Sequence, residues 1–119
     1  MELFSTNHIS PNVGLEEAIF RGLPADNGLF MPTFFSKFST EFLENIETFS
    51  IQDIAKEVCR TLLGDELSED QISEIIESAI DFDAPLTQLS DNLYCLELFH
   101  GPSMAFKDFG ARFMAAIMA

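Results

Sequence analysis

The chain has no tryptophan, one tyrosine, two cysteines and only six lysines and arginines in 119 residues. Each scarcity excludes something. Six cations against twenty acidic residues leave a net charge of −14. Nucleic-acid phosphates and anionic membrane surfaces both demand the opposite sign, so neither is an expected partner. The cysteines, Cys59 and Cys95, form no CxxC and join no Cys/His cluster, so no zinc site or other metal site is expected. Both read as reduced core residues, Cys59 on an apolar helix face and Cys95 in an apolar strand. No apolar run reaches membrane-spanning length. The opening "MELFSTNHIS" lacks the basic and apolar regions of a secretion signal, which makes a reducing cytoplasm the default location.

What is present is apolar: 47% of residues, including thirteen phenylalanines. That suffices for one small domain with a modest core. Leu15, Ala18 and Ile19 share a face of a short helix stopped by Gly22 and Pro24. "ADNG" is turn chemistry, because Asn-Gly readily takes positive φ. "GLFMP" reads as a short strand closed by Pro32. "SKFSTEFLENIETF" reads as a helix capped by Ser39 or Thr40.

Two amphipathic helices follow. Ser50 with Asp53 and Ser68 with Gln71 make capping boxes, one before each apolar stripe. Ile51, Ile54, Ala55, Val58, Leu62 and Leu63 form the first stripe. Ile72, Ile75, Ile76, Ala79 and Ile80 form the second. A short connection predicts an antiparallel pair. Residues 61–106 hold ten acids and no lysine or arginine. That stretch can be a docking surface for a basic partner or simply a solvated face.

"NLYCLELF" reads as a strand buried on at least one face. Together with segments near 2–6 and 28–31 it is expected to complete one small sheet. The class expected is α+β and mostly helical. "GPSMAFKDFGARFMAAIMA" then reads as a terminal helix that is apolar nearly all round, which predicts burial on all sides. Ser103 is placed to cap it, and Asp108 with Arg112 to form an i,i+4 ion pair. An apolar helix ending at Ala119 implies the front of a longer protein. An exposed face there offers a route to self-association.

Lys107 stands alone in this stretch, between Met104, Ala105, Phe106 and Phe109. Apolar surroundings and a helix N-terminus both favour the neutral amine, a nucleophile able to form a Schiff base. A snorkelling lysine whose stem covers apolar surface is the plainer alternative. His100 can be a general base, a phosphate contact or a hydrogen-bonded loop histidine. Ser103 can bind substrate or cap the helix. Asp108 can order the site or only pair with Arg112.

"LELFHGPSMAFKDFGARFMA" resembles the lysine motif of the threonine synthases, close to L-E-L-F-H-G-P-T/S-x-A-F-K-D-F-G-x-R-F-M. "FSTN" resembles that family's opening Y-S-T. "EEAIFRGLPADNGLFMP" resembles its E-A-x-x-x-G-L-x-x-D-x-G-L-(Y/F)-x-P. Asn7 stands where many members carry Arg, and Asn27 where many carry Gly.

The resemblance implies lyases of threonine biosynthesis that depend on pyridoxal 5'-phosphate and have the tryptophan-synthase-like, type II fold. They convert O-phospho-L-homoserine and water to L-threonine and phosphate. It implies that Lys107 holds the cofactor as a Schiff base, and it sets Asp108 near the cofactor and Ser103 near substrate. It divides the chain into an N-terminal domain, residues 1–99, and the start of a truncated α/β cofactor domain, residues 100–119. The other contacts of the cofactor would lie beyond residue 119, so a chain of this length alone is expected to be inactive. Two rivals stand beside it. One is an acidic helical interaction module without chemistry. The other is another type II enzyme such as a threonine dehydratase.

Overall fold

A computed structural model describes residues 1–119. The first 32 residues build a three-stranded antiparallel sheet and one helix. Strand β1 (Glu2–Ser5) lies between β2 (Val13–Gly14) and β3 (Phe30–Pro32). Leu3 stands opposite Val13 on one side and Pro32 on the other, and Ser5 stands opposite Phe30. Pro32 closes the strand as its last residue, which an edge strand tolerates because one row of its N–H groups has no partner to lose. Helix α1 (Leu15–Arg21) leaves β2 directly and ends at Gly22, whose φ of 72° suits a glycine. Leu3, Val13 and Ala18 form a small core with Met1, Leu15 and Phe30 around it.

Helix α2 (Thr40–Glu44) is shorter than its periodicity suggests. Ser39 caps it, accepting from the Phe42 N–H at 3.1 Å. The Asn45 side chain then donates to the Glu41 carbonyl at 2.8 Å and competes with the next helical turn. A 3-10 turn, Ile46–Thr48, follows.

Helices α3 (Ile51–Leu63) and α4 (Glu69–Ala79) carry the main packing, and both capping boxes are formed. Their antiparallel arrangement shows in the ion pairs between them: Lys56 to Glu77 at 2.8 Å, Arg60 to Glu69 at 2.7 Å. Ile72 and Ile76 are 1% exposed and meet Cys59, with Ala55, Leu67, Ile80 and Phe113 packed around them. The Met1 ammonium pairs with Glu66 and ties the sheet to the α3–α4 connection.

The segment 93–99, expected to complete that sheet, does not join it. Strand β5 (Leu93–Leu96) pairs instead with β4 (Leu86–Ser90) in a separate hairpin. The two-residue Asp91-Asn92 connection is short enough to turn the chain straight back on itself. Leu86, Leu89, Leu93, Tyr94 and Leu96 are all more than half exposed, so the burial expected for this strand is absent. Cys95 is half-buried rather than in the core.

Helix α5 (Lys107–Ile117) packs against α4 through Phe113 and Arg112. It is half-buried rather than enclosed, with Met114 and Met118 exposed. An apolar cleft of about 330 Å³ separates the two cores, lined by Leu15 and Ile19 of α1, Val58 and Leu62 of α3, and Phe113 and Ile117 of α5. No helix is long and apolar enough to cross a membrane.

Candidate active site

Lys107 opens α5 as its first helical residue. It is exposed, as are Met104 and Phe106 beside it. The burial expected from its apolar neighbours in sequence is therefore not realised. Burial needs a second layer of structure above the loop, and none of the chain's other elements supplies one. Lys56 is engaged by Glu77, whereas Lys107 and Lys37 take part in none of the chain's ion pairs. Lys107 thus presents an accessible side-chain nitrogen that no carboxylate engages.

The loop before it is organised by Asp108, not by a cap from Ser103. The helix starts four residues after Ser103, and the residue in the capping position, Phe106, has helical dihedrals and provides no side-chain cap. Ser103 instead donates twice to the Asp108 carboxylate: its hydroxyl to Oδ1 at 2.5 Å and its backbone N–H to Oδ2 at 2.8 Å. The Ser103 hydroxyl, more than any other group, holds the Asp108 carboxyl below its ordinary pKa, with the backbone donors adding to it. Met104 takes a left-handed φ of 55° and donates to the Gly101 carbonyl at 3.0 Å. Gly101 is buried against Asp108, and a Cβ there would lie 2.5 Å from Oδ2 and 2.6 Å from the Asp108 Cβ. Only glycine lets the loop approach this closely.

The Asp108–Arg112 ion pair expected from spacing is replaced by longer-range contacts. Arg112 Nη2 lies 2.9 Å from Asp81, and its guanidinium donates to the Ala79 and Ser78 carbonyls at 2.9 and 2.6 Å. These carbonyls end α4 and have no partner within their own helix, so a cation from α5 satisfies them. His100 is a hydrogen-bonded loop histidine: its Nε2 lies 2.7 Å from Glu97 Oε2, and its ring stacks on Phe99. Thr87 donates to the other Glu97 oxygen at 3.0 Å, and His100 foremost lowers the Glu97 pKa. Ser103, Lys107 and Asp108 therefore share one loop and helix start, with His100 at the loop's entrance.

A second carboxylate centre was not visible in the sequence. Asp26 accepts four hydrogen bonds: the Ser5 hydroxyl at 2.6 Å and Gly28 N–H at 3.1 Å on Oδ1, Ile9 and Ser10 N–H at 3.0 and 2.8 Å on Oδ2. Asn7 donates to its backbone carbonyl at 2.8 Å. Ser5, in first place, holds the Asp26 carboxyl far below the usual carboxylate range. "ADNG" signalled the turn, and Asn27 does take φ 60°. Nothing in it signalled Ser5, which is fully buried and 21 residues away. The two N-terminal motifs, "FSTN" and "ADNG", are one hydrogen-bonded unit.

Fold and site together define an α+β unit that offers one unpaired primary amine at the start of a helix, behind a loop locked by a carboxylate. The chain spans about 28% of the length of the curated relatives it matches, and those relatives name the family. The chain belongs to the threonine synthase family: the family profile described as "Threonine synthase N terminus" matches residues 2–80. The threonine synthase of Serratia marcescens is 33% identical over 119 residues, covering all of this chain and 28% of that protein. The threonine synthase of Escherichia coli K12 is 32% identical over 99% of this chain and 28% of its own. Among solved structures, Escherichia coli threonine synthase superposes with a TM-score of 0.91 at 32% identity, over 99% of this chain and 28% of that one. The PLP-bound threonine synthase from Brucella melitensis superposes with a TM-score of 0.88 at 31% identity, over 99% of this chain and 26% of that one.

Proposed function

We propose that these residues carry the cofactor lysine of a pyridoxal-phosphate-dependent threonine synthase, a lyase that forms L-threonine and phosphate from O-phospho-L-homoserine and water. The observation that carries this reading is Lys107: an exposed amine free of ion pairs, in a chain similar to threonine synthases along its whole length. The residues present fit the cofactor in that respect, because condensation with an aldehyde needs an amine that the aldehyde can reach. When bound, the cofactor supplies an electron sink for charge that develops on substrate carbon. Lys107 Nζ would hold the cofactor and then carry protons to and from the substrate. The Ser103 hydroxyl donates to Asp108 but keeps its lone pairs, so it can still accept a hydrogen bond from substrate. Residues 1–99 would form the N-terminal domain, with 100–119 beginning the cofactor domain. The two free thiols suit a cytoplasmic setting. The exposed side of α5, with Met114 and Met118, is where copies of the 119-residue chain would associate.

The acidic stretch does not favour a docking module, since Glu69 and Glu77 are already engaged by Arg60 and Lys56. The decisive experiment assays the full-length protein, supplied with pyridoxal phosphate, for release of phosphate and threonine from O-phospho-L-homoserine. Activity that disappears in Lys107→Ala supports the reading. Activity that survives the substitution sinks it.

A further inference from the structure

The carboxylate beside Lys107 is spent on its own loop. Asp108 is 8% exposed, and both of its oxygens accept from Ser103. Gly101 packs against the remaining side of its side chain. The Asp108 N–H donates to the Ala105 carbonyl at 3.0 Å, so the backbone is tied on both sides of Lys107 while the Lys107 side chain stays free. Met104 sits in a left-handed conformation that a residue with a side chain adopts only when its surroundings hold it there.

We propose that Asp108 is a positioning residue for Lys107: by clamping residues 101–103 it fixes the backbone from which Nζ reaches an aldehyde, without touching the cofactor itself. The inference rests on the reading of Lys107 given above and adds the reason an acid follows the lysine. The step it serves is condensation of neutral Nζ with the cofactor's aldehyde. A carbon–nitrogen bond forms, and the carbonyl oxygen leaves as water with the two amine protons. Holding the amine in register raises the rate of such a step through orientation, and small misplacements are costly. The clamp's chemistry also predicts which substitution is tolerated. An asparagine at 108 can still accept from the Ser103 N–H through its oxygen. The Ser103 hydroxyl can rotate and accept from the new amide N–H instead of donating.

The test uses the full-length protein, pyridoxal phosphate and a timed borohydride quench, with the label on each lysine read by peptide mass spectrometry. Lys37, exposed and outside every ion pair, is the internal standard. The wild type is expected to label Lys107 faster than Lys37. Asp108→Ala is expected to slow Lys107 labelling by about 10- to 100-fold while Lys37 is unchanged. Asp108→Asn should restore most of the rate. Should Asp108→Ala fail to fold, Ser103→Ala carries the test with an expected loss of about threefold or more, the worth of a single hydrogen bond. Two results overturn the proposal. One is Asp108→Asn as slow as Asp108→Ala, which means the charge itself acts. The other is Asp108→Ala, or Ser103→Ala, as fast as wild type. A wild type that labels Lys107 no faster than Lys37 sinks the underlying reading as well, and so is distinguishable from both.

Discussion

Asp26 and Asp108 solve the same local problem in two places. Each is a carboxylate that gathers a serine hydroxyl and backbone N–H groups, and each has a glycine pressed against its cluster. They differ in reach. The partners of Asp26 include Ser5, Ile9 and Ser10, 16 to 21 residues away, so it joins β1 and the loop after it to the turn before β3. The partner of Asp108 is Ser103, five residues away, so it shapes one loop. Closing a long loop costs more chain entropy than closing a short one, and the contact that closes it matters more to the whole fold. A long-range hub therefore serves stability, whereas a short-range one can serve the presentation of a neighbouring side chain.

The hardest test of this difference is to fill the glycines. A Cβ at Gly28 would lie 2.2 Å from Ser5 Oγ and 3.0 Å from the Asn7 nitrogen. Gly28→Ala is expected to cost about 1–3 kcal/mol in urea unfolding, by overpacking a fully buried site. Gly101→Ala meets Asp108 just as tightly, but the strain falls on one loop. Its loss should be the smaller and its effect on Lys107 labelling the larger. Equal losses of stability would break the comparison.

Asparagine substitutions come next. Each oxygen of Asp26 faces at least one backbone N–H, so an amide there sets donor against donor whichever way it turns. Asp26→Asn should lower the melting temperature clearly. Asp108→Asn should lower it little, because one donor is a hydroxyl that can reverse. A calorimetric scan showing the opposite order would refute the assignment of roles.

Acid titration gives a finer distinction. Both carboxyls have pKa values depressed in the folded chain. Their stabilisation is complete above the unfolded aspartate value of about 3.9 and is lost as pH falls through the folded values. Circular dichroism between neutral pH and pH 2 should show the acid limb flattened more by Asp26→Asn than by Asp108→Asn. Ser5→Ala should move the Asp26 titration upward, since the Ser5 hydroxyl is the largest cause of its depression. An unmoved Asp26 carboxyl signal in NMR would contradict that. The smallest effect expected is on global stability in Ser103→Ala, within about 1 kcal/mol of wild type by denaturant titration.

Legibility followed sequence distance. The capping boxes at Ser50 and Ser68 and the stop at Gly22 were readable because their partners lie within one helical turn. The cap by Ser39 was readable as well, but the length of α2 was not, because Asn45 competes for a backbone carbonyl that periodicity ignores. The hairpin was half legible: β5 had a signal of its own, while its partner depends on which segment lies near enough to bond. Arg112 looked paired to Asp108 by spacing. In the fold, α4 ends beside it and offers free carbonyls and Asp81, contacts no i,i+4 rule contains.

By itself the sequence determined the α3–α4 pair, the N-terminal strands β1 and β3, the lysine loop and the kinship with threonine synthases. These rest on local periodicity, local capping and contiguous motifs, all of which are written in neighbouring residues. Only the tertiary structure decided that Ser5 serves Asp26, that Arg112 serves the end of α4, that Ser103 binds Asp108 instead of capping α5, and that Lys107 stands exposed. Each of those depends on which polar groups are left unsatisfied once the helices and strands have packed, and that is settled in three dimensions.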